Sequence, residues 1–160
     1  MVPDQEISVV EVPDMLVVGM RQKGRYEDIG GMLMKVYLYA DEHSAVFTGP
    51  PIYLTHEKNV SEVTRAMAEG NADIEVVFPV QAHVPASHTI RSYTLEGGTM
   101  AMILHTGAYS ACERSYARLF SWILENGKTI AGPFREEYLN DPSMVSEPEL
   151  MTRIYVPFTQ

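Results

Sequence analysis

A chain of 160 residues with 46% apolar side chains has enough hydrophobic material for one folded domain, and no run in it approaches the ~18 consecutive apolar residues of a membrane-spanning helix. The formal net charge of −9, with no local Lys/Arg cluster to offset it, argues against direct binding of a nucleic-acid backbone. The single cysteine, Cys112, excludes an internal disulfide, and the acidic start (Met1 to Glu6) lacks the basic region of a signal peptide, so the expected location is the cytoplasm.

The elements follow in chain order. Residues 5–12 alternate as a strand, Val12-Pro13-Asp14 turns the chain, and residues 15–21 form a second strand. A helix is predicted over residues 28–41. Its apolar positions Ile29, Met32, Leu33, Val36, Tyr37 and Ala40 recur at three- and four-residue steps, and Gly30 and Gly31 weaken its first turn. Gly49-Pro50-Pro51 turns into a strand at residues 52–54. A polar, partly helical excursion covers residues 60–69, and residues 74–80 form a strand. Residues 81–87 read as the one linker. Residues 89–95 form a strand, Glu96-Gly97-Gly98 is a hairpin signal, and residues 99–105 are the expected partner strand. Ser110 and Glu113 have the spacing of a capping box at the start of a second helix. The stripe of that helix is Cys112, Tyr116, Leu119, Phe120 and Ile123, and Asn126-Gly127 stops it. Gly132-Pro133 leads into a strand at residues 134–139. Asn140-Asp141-Pro142 breaks it, and residues 151–158 end the fold.

The chain also repeats itself at an interval of 83 residues. Lys23-Gly24-Arg25-Tyr26 is answered by Thr106-Gly107-Ala108-Tyr109, and Gly49-Pro50 by Gly132-Pro133. A strand with a proline closes each half, at Val76-Val77-Phe78-Pro79-Val80 and at Ile154-Tyr155-Val156-Pro157-Phe158. The expected fold is α+β: tandem pseudo-two-fold ββαββ-like modules in one domain over residues 1–160. Repeat 1 covers about residues 5–80 and repeat 2 about residues 88–158. An antiparallel sheet, two main helices and a ligand cleft at the seam complete the expectation.

Catalytic and metal signatures are missing from the sequence. His83 and His88 flank Val84-Pro85 and cannot share a helical face, and His43, His56 and His105 have no ligand-spaced Cys or carboxylate. There is no Gly-x-Ser-x-Gly elbow, phosphate loop or dinucleotide fingerprint. No metal and no cofactor is therefore expected, and Cys112, on an apolar helical stripe, is read as a core residue.

The strand Phe134-Arg135-Glu136-Glu137-Tyr138-Leu139 stands apart. Alternation places Phe134, Glu136 and Tyr138 on one face and Arg135, Glu137 and Leu139 on the other. A carboxylate between two aromatics suits a cationic aromatic guest. The same pattern also fits a solvated Glu136 beside two core rings. An unliganded, buried Glu136 should have a raised pKa or be held by a tyrosine hydroxyl. The chain carries nine tyrosines, of which Tyr26, Tyr53, Tyr109, Tyr116, Tyr138 and Tyr155 fall near the repeat landmarks. Trp122 has Tyr39 as its repeat counterpart.

Taken together, His105 to Tyr109, Leu119-Phe120-Ser121-Trp122-Ile123, the run Gly132 to Pro142 and Ile154 to Phe158 resemble the GyrI-like small-molecule-binding family. That is the fold of effector-binding domains in AraC/Rob-type and multidrug-sensing transcription activators. The resemblance implies binding of hydrophobic, often cationic, aromatic compounds. It places the family's acidic residue on Glu136, with Glu137 as the alternative register. It carries the aromatic wall to Tyr109, Trp122, Phe134 and Tyr138, and less directly to Tyr26, Tyr53 and Tyr155. Tyr53 stands opposite Glu136 by the repeat interval. With no helix-turn-helix segment ahead of the module, the chain is expected to be a standalone form that sequesters a ligand or acts on a partner. Binding without turnover is the preferred reading. A glutamate-dependent hydrolase of small cyclopropane-bearing compounds, or a protein-partner role such as gyrase inhibition, is the alternative. The natural ligand and oligomeric state stay open.

Overall fold

Short alternating runs form the strands and amphipathic stripes form the helices in the computed structural model, which describes residues 6–160. The strands are β1 (Ser8–Val12), β2 (Met15–Gly24), β3 (Ile52–Thr55), β4 (Ala72–Pro79), β5 (Arg91–Leu95), β6 (Gly98–Thr106), β7 (Thr129–Ile130), β8 (Phe134–Tyr138) and β9 (Met151–Thr159). The helices are α1 (Ile29–Glu42), α2 (Val60–Glu69) and α3 (Cys112–Glu125). The class is α+β, and the strand pairs are antiparallel. The first strand was expected from residue 5, which lies outside the described residues. The described chain falls into two compact units, one of Asp14–Glu96 and one of Gly97–Gln160 with residues 6–13.

In the Asp14–Glu96 unit the strand order is β5-β2-β4-β3. Residues of β4 are buried on both faces, because Val77 joins a cluster with Val17, Ile52, Leu54 and Leu95 while Phe78 meets Tyr37 of α1 at 6.0 Å. Met32, Val36 and Ala40 are the buried stripe of α1, as its period predicts. Gly30 and Gly31 sit in its first turn with open space around them. The polar excursion is the helix α2. Asn59 caps it by accepting a hydrogen bond from the Glu62 amide at 2.9 Å, and Gly70 ends it in a left-handed conformation. Residues 81–87, expected as a linker, lie within this unit. Val84 is buried, its amide donates to Ser92 Oγ at 2.8 Å, and the Tyr39 hydroxyl donates to the Pro85 carbonyl.

In the other unit the order is β1-β6-β9-β8, with β7 paired to β9. Its core joins Ala101 and Ile103 of β6, Cys112, Leu119 and Ile123 of α3, Phe134 of β8, and Ile154, Val156 and Phe158 of β9. The helices α1 and α3 are each 14 residues long and are separated by the interval that separates Tyr26 from Tyr109.

Two local expectations are corrected. The hairpin signal at Glu96-Gly97-Gly98 does not fold β5 onto β6. Instead β5 pairs with β2 (Leu95 opposite Met15) and β6 pairs with β1 (Gly98 opposite Val12). The glycine is needed for a close approach: a Cβ on Gly97 would lie 1.8 Å from the Val12 carbonyl oxygen and 2.6 Å from Pro13 C. The capping box at Ser110 and Glu113 is not formed either. A 3₁₀ turn over Tyr109–Ala111 precedes α3, so Ser110 is inside a turn, and the cap residue Ala111 makes no side-chain hydrogen bond.

Candidate functional site: a glutamate held by two phenols

The strand β8 is short and paired to β9 with Glu136 opposite Ile154, which sets the phase of its side chains. Phe134, Glu136 and Tyr138 face α3. The Phe134 ring lies 6.1 Å from that of Tyr116 and 5.4 Å from that of Phe120, both on the helix. Tyr138 meets Tyr109 edge-on at 5.3 Å.

The Glu136 carboxylate is bound from two directions. Oε2 accepts from the Tyr116 hydroxyl at 2.5 Å, and Oε1 accepts from the Tyr138 hydroxyl at 3.1 Å. Burial among these rings pushes the Glu136 pKa above the ordinary carboxylate value. The two phenol hydrogen bonds and the His105 imidazole oppose that rise without cancelling it. Both effects that the sequence attached to an unliganded Glu136 are therefore present. Tyr116 is itself held well above the usual phenol range, first by burial and then by the carboxylate it serves. Both lone-pair faces of a carboxylate exceed what two hydroxyls use, so Glu136 keeps acceptor capacity for a cationic or hydrogen-bonding guest.

His105, at the end of β6, is buried and fully engaged. Its Nε2 lies 2.8 Å from the Ala108 carbonyl oxygen, which can only accept, so Nε2 carries the proton. Nδ1, 3.0 Å from Ser115 Oγ, then accepts from that hydroxyl when the ring is neutral. These bonds tie the Ala108-Tyr109 turn to α3. Cys112 packs in the same core, where burial pushes its thiol up to about 12.

The remaining sequence-derived residues are distributed elsewhere. Glu137 is on the opposite face of β8, where it accepts from Arg153 Nη1 at 3.2 Å and from the Tyr155 hydroxyl at 3.1 Å. Tyr155 thus accompanies Glu137 and not Glu136. Trp122 packs against Phe158 at 5.5 Å. In the Asp14–Glu96 unit, Tyr26 donates to Glu57 Oε1 at 2.7 Å, and Tyr53 is buried in β3. Glu136, Tyr138, Tyr109 and Phe134 are the predicted residues brought together. Phe120 and His105 complete the group without having been singled out for it, and so does Tyr116, which the sequence marked only as a landmark tyrosine on the helical stripe. The signal for Tyr116 was a hydroxyl on an apolar helical stripe, which needs a buried partner. Among the described residues no group of three or more His, Cys, Asp or Glu is arranged to hold a metal ion. No described helix is long and apolar enough to cross a membrane.

The α+β fold and its strand glutamate under an aromatic helix face sit in a chain whose family is shown by its sequence. Residues 5–159 match the GyrI-like small molecule binding domain, and the chain belongs to that family. Among solved structures, the EcmrR C-terminal domain is similar with a TM-score of 0.86 at 19% identity, covering 98% of each chain. The EcmrR chain in a DNA complex is matched with a TM-score of 0.85, also at 19% identity. There 98% of this chain spans 58% of the EcmrR chain. A hydrolase from Listeria innocua has a TM-score of 0.68 at 14% identity, covering 99% of this chain and 94% of its own. SAV2435, solved bound to tetraphenylphosphonium, has a TM-score of 0.60 at 14% identity, covering 96% and 94%. No curated protein sequence matches significantly.

Proposed function

We propose that this protein binds hydrophobic, cationic aromatic small molecules, with Glu136 as the charge partner and Tyr109, Tyr116, Phe134 and Tyr138 as the aromatic surround. The observation that carries the reading is the carboxylate of Glu136 held by the Tyr116 and Tyr138 hydroxyls beneath aromatic rings. Ring faces attract a cation through their quadrupoles, and a carboxylate with reduced hydration adds a direct charge. Membership of a small-molecule binding family supports a ligand as such. The tetraphenylphosphonium complex of SAV2435 supports the cationic aromatic class. Such a protein serves as an effector-binding or sequestering module, linked to transcription regulation or drug resistance.

The reading is tested by thermal shift with three probes of similar shape: tetraphenylphosphonium, triphenylphosphine oxide and tetraphenylborate. A ligand that binds only the native state raises the melting temperature by mass action. A rise with the phosphonium alone is expected. Equal rises with the borate, or none with any probe, would overturn the reading.

A second reading, hydrolysis, draws on the likeness to the Listeria innocua hydrolase and on the raised pKa of Glu136, which suits an acid–base group. Mass spectrometry of each binding compound after incubation with the protein decides between them. A product formed by wild type and lost in Glu136→Gln would establish turnover.

A further inference from the structure

A second carboxylate, Glu75, is buried in the Asp14–Glu96 unit and plays no part in the site above. Its Oε1 lies 2.8 Å from His56 Nε2, and its Oε2 accepts from the Tyr93 hydroxyl. Two oxygens offer about four acceptor positions, so these two partners leave capacity unused. The Tyr93 phenol lies across β2 beside Gly19, where a side chain would crowd it. A Cβ there would stand 3.1 Å from the Tyr93 oxygen and 2.5 Å from the Val76 carbonyl.

Glu75 and Tyr93 border a cavity of about 160 Å³, walled also by Gly19, Arg21, Thr89 and Arg91. Arg21 is committed to Asp73 through a two-pronged pair at 2.8 and 2.7 Å. Arg91 is exposed, its guanidinium 4.9 Å from the centre of the Tyr93 ring, and among the described residues no ion pair engages it. The cavity therefore has an ionised acid at its floor and an uncommitted, stacked guanidinium with a threonine hydroxyl at its rim. Around it Arg21, Lys23 and Arg91 outnumber Asp73 and Glu75, a cationic locality in a chain of net charge −9. Burial pushes the Glu75 carboxyl up, but the His56 and Tyr93 hydrogen bonds together with the fields of the His56 imidazole and the Arg21 guanidinium hold it below the ordinary carboxylate pKa. A simple anion would be repelled from the floor, and a simple amine from the rim.

We infer that this cavity is a binding site for a small zwitterion, whose ammonium meets Glu75 and whose carboxylate meets Arg91 and Thr89. Its volume corresponds to roughly five waters, which suits a ligand the size of a small amino acid. Arginine's planar fork is the side chain best fitted to a carboxylate.

Calorimetric titration of the full chain tests this with L-alanine, β-alanine and γ-aminobutyrate, which differ in charge separation. Propionate and propylamine serve as single-charge controls. At least one zwitterion should bind more tightly than both controls, and Arg91→Gln, at an exposed position, should weaken it by about tenfold or more. Thr89→Ala should weaken it less. Propionate binding as well as the best zwitterion would remove Glu75 from the site. Unchanged binding in Arg91→Gln, or no heat with any probe, would overturn the inference. Wild-type response to tetraphenylphosphonium is independent of all these outcomes.

Discussion

Replacing Glu136 by Gln should weaken cation binding while stabilising the ligand-free protein, and the opposite signs make the substitution informative. Glutamine keeps the shape and can still accept from one of the Tyr116 and Tyr138 hydroxyls. Only the charge is removed. Two unit charges ~4 Å apart at an effective dielectric near 20 attract by about 4 kcal/mol. Sharing Glu136 with two phenols and stripping water from the cation reduce the net loss to about 1–3 kcal/mol, roughly fivefold to 150-fold in Kd. Stability moves the other way. The native pKa of Glu136 is raised by burial, so the native state holds its proton more firmly than the unfolded chain. The wild type then loses stability as pH rises from the ordinary carboxylate range through the native pKa. Glu136→Gln should therefore melt higher than wild type at neutral pH, with the difference closing in acid. Calorimetric titration with tetraphenylphosphonium and urea denaturation across the acid-to-neutral range measure both effects. Equal affinity of wild type and Glu136→Gln for several cations would refute the role of Glu136. A larger loss in Glu137→Gln would place the ligand on the opposite face of β8, where Arg153 and Tyr155 lie.

Gly97→Ala should destabilise the protein by about 3 kcal/mol or unfold it, since the new Cβ collides with backbone and not with a yielding side chain; an unchanged urea midpoint would contradict the crossing described at Val12-Pro13. Glu75 acts with the opposite sign to Glu136: its lowered pKa contributes stability above the ordinary carboxylate range that is lost as pH falls through the native value. The acid limb of the wild-type stability curve should accordingly flatten in Glu75→Gln, and an unchanged limb would show that Glu75 does not contribute to it. Cys112, buried and with its thiol pushed up to about 12, should resist a thiol reagent in the native protein at mildly alkaline pH and react only on denaturation. Fast labelling of the native protein would show that α3 opens far more readily than its packed stripe implies.

Much of the element pattern was legible because it depends on neighbours in sequence. The four-residue steps of Met32, Val36 and Ala40 marked α1, and the steps of four, three and four through Cys112, Tyr116, Leu119 and Ile123 marked α3. Asn126-Gly127 marked the end of α3, where Gly127 has a φ of 63°. Strand alternation likewise put Glu136 on the face of Phe134 and Tyr138, with Glu137 on the other. The errors came where one residue type serves two physical needs. Gly97 could supply either a tight turn or a close backbone approach, and only the position of Val12 distinguishes them. Ser110 has the chemistry of a cap, but a 3₁₀ turn began before it and placed it inside. Tyr116 was visible as core, yet nothing local says that its hydroxyl reaches a carboxylate 20 residues away.

By itself the amino-acid order determined the α+β class, the helices, the strand phases and the placing of Glu136, not Glu137, on the face of Phe134 and Tyr138, because periodicity and turn chemistry act over a few residues. Tertiary structure decided which strands pair, and so that β1 lies beside β6 and β5 beside β2. It also decided which phenols hold Glu136 and which instead hold Glu57, Glu75 and Glu137. A backbone edge accepts any strand of compatible register and a tyrosine hydroxyl any nearby acceptor, so these choices wait on distances that only the packed chain sets.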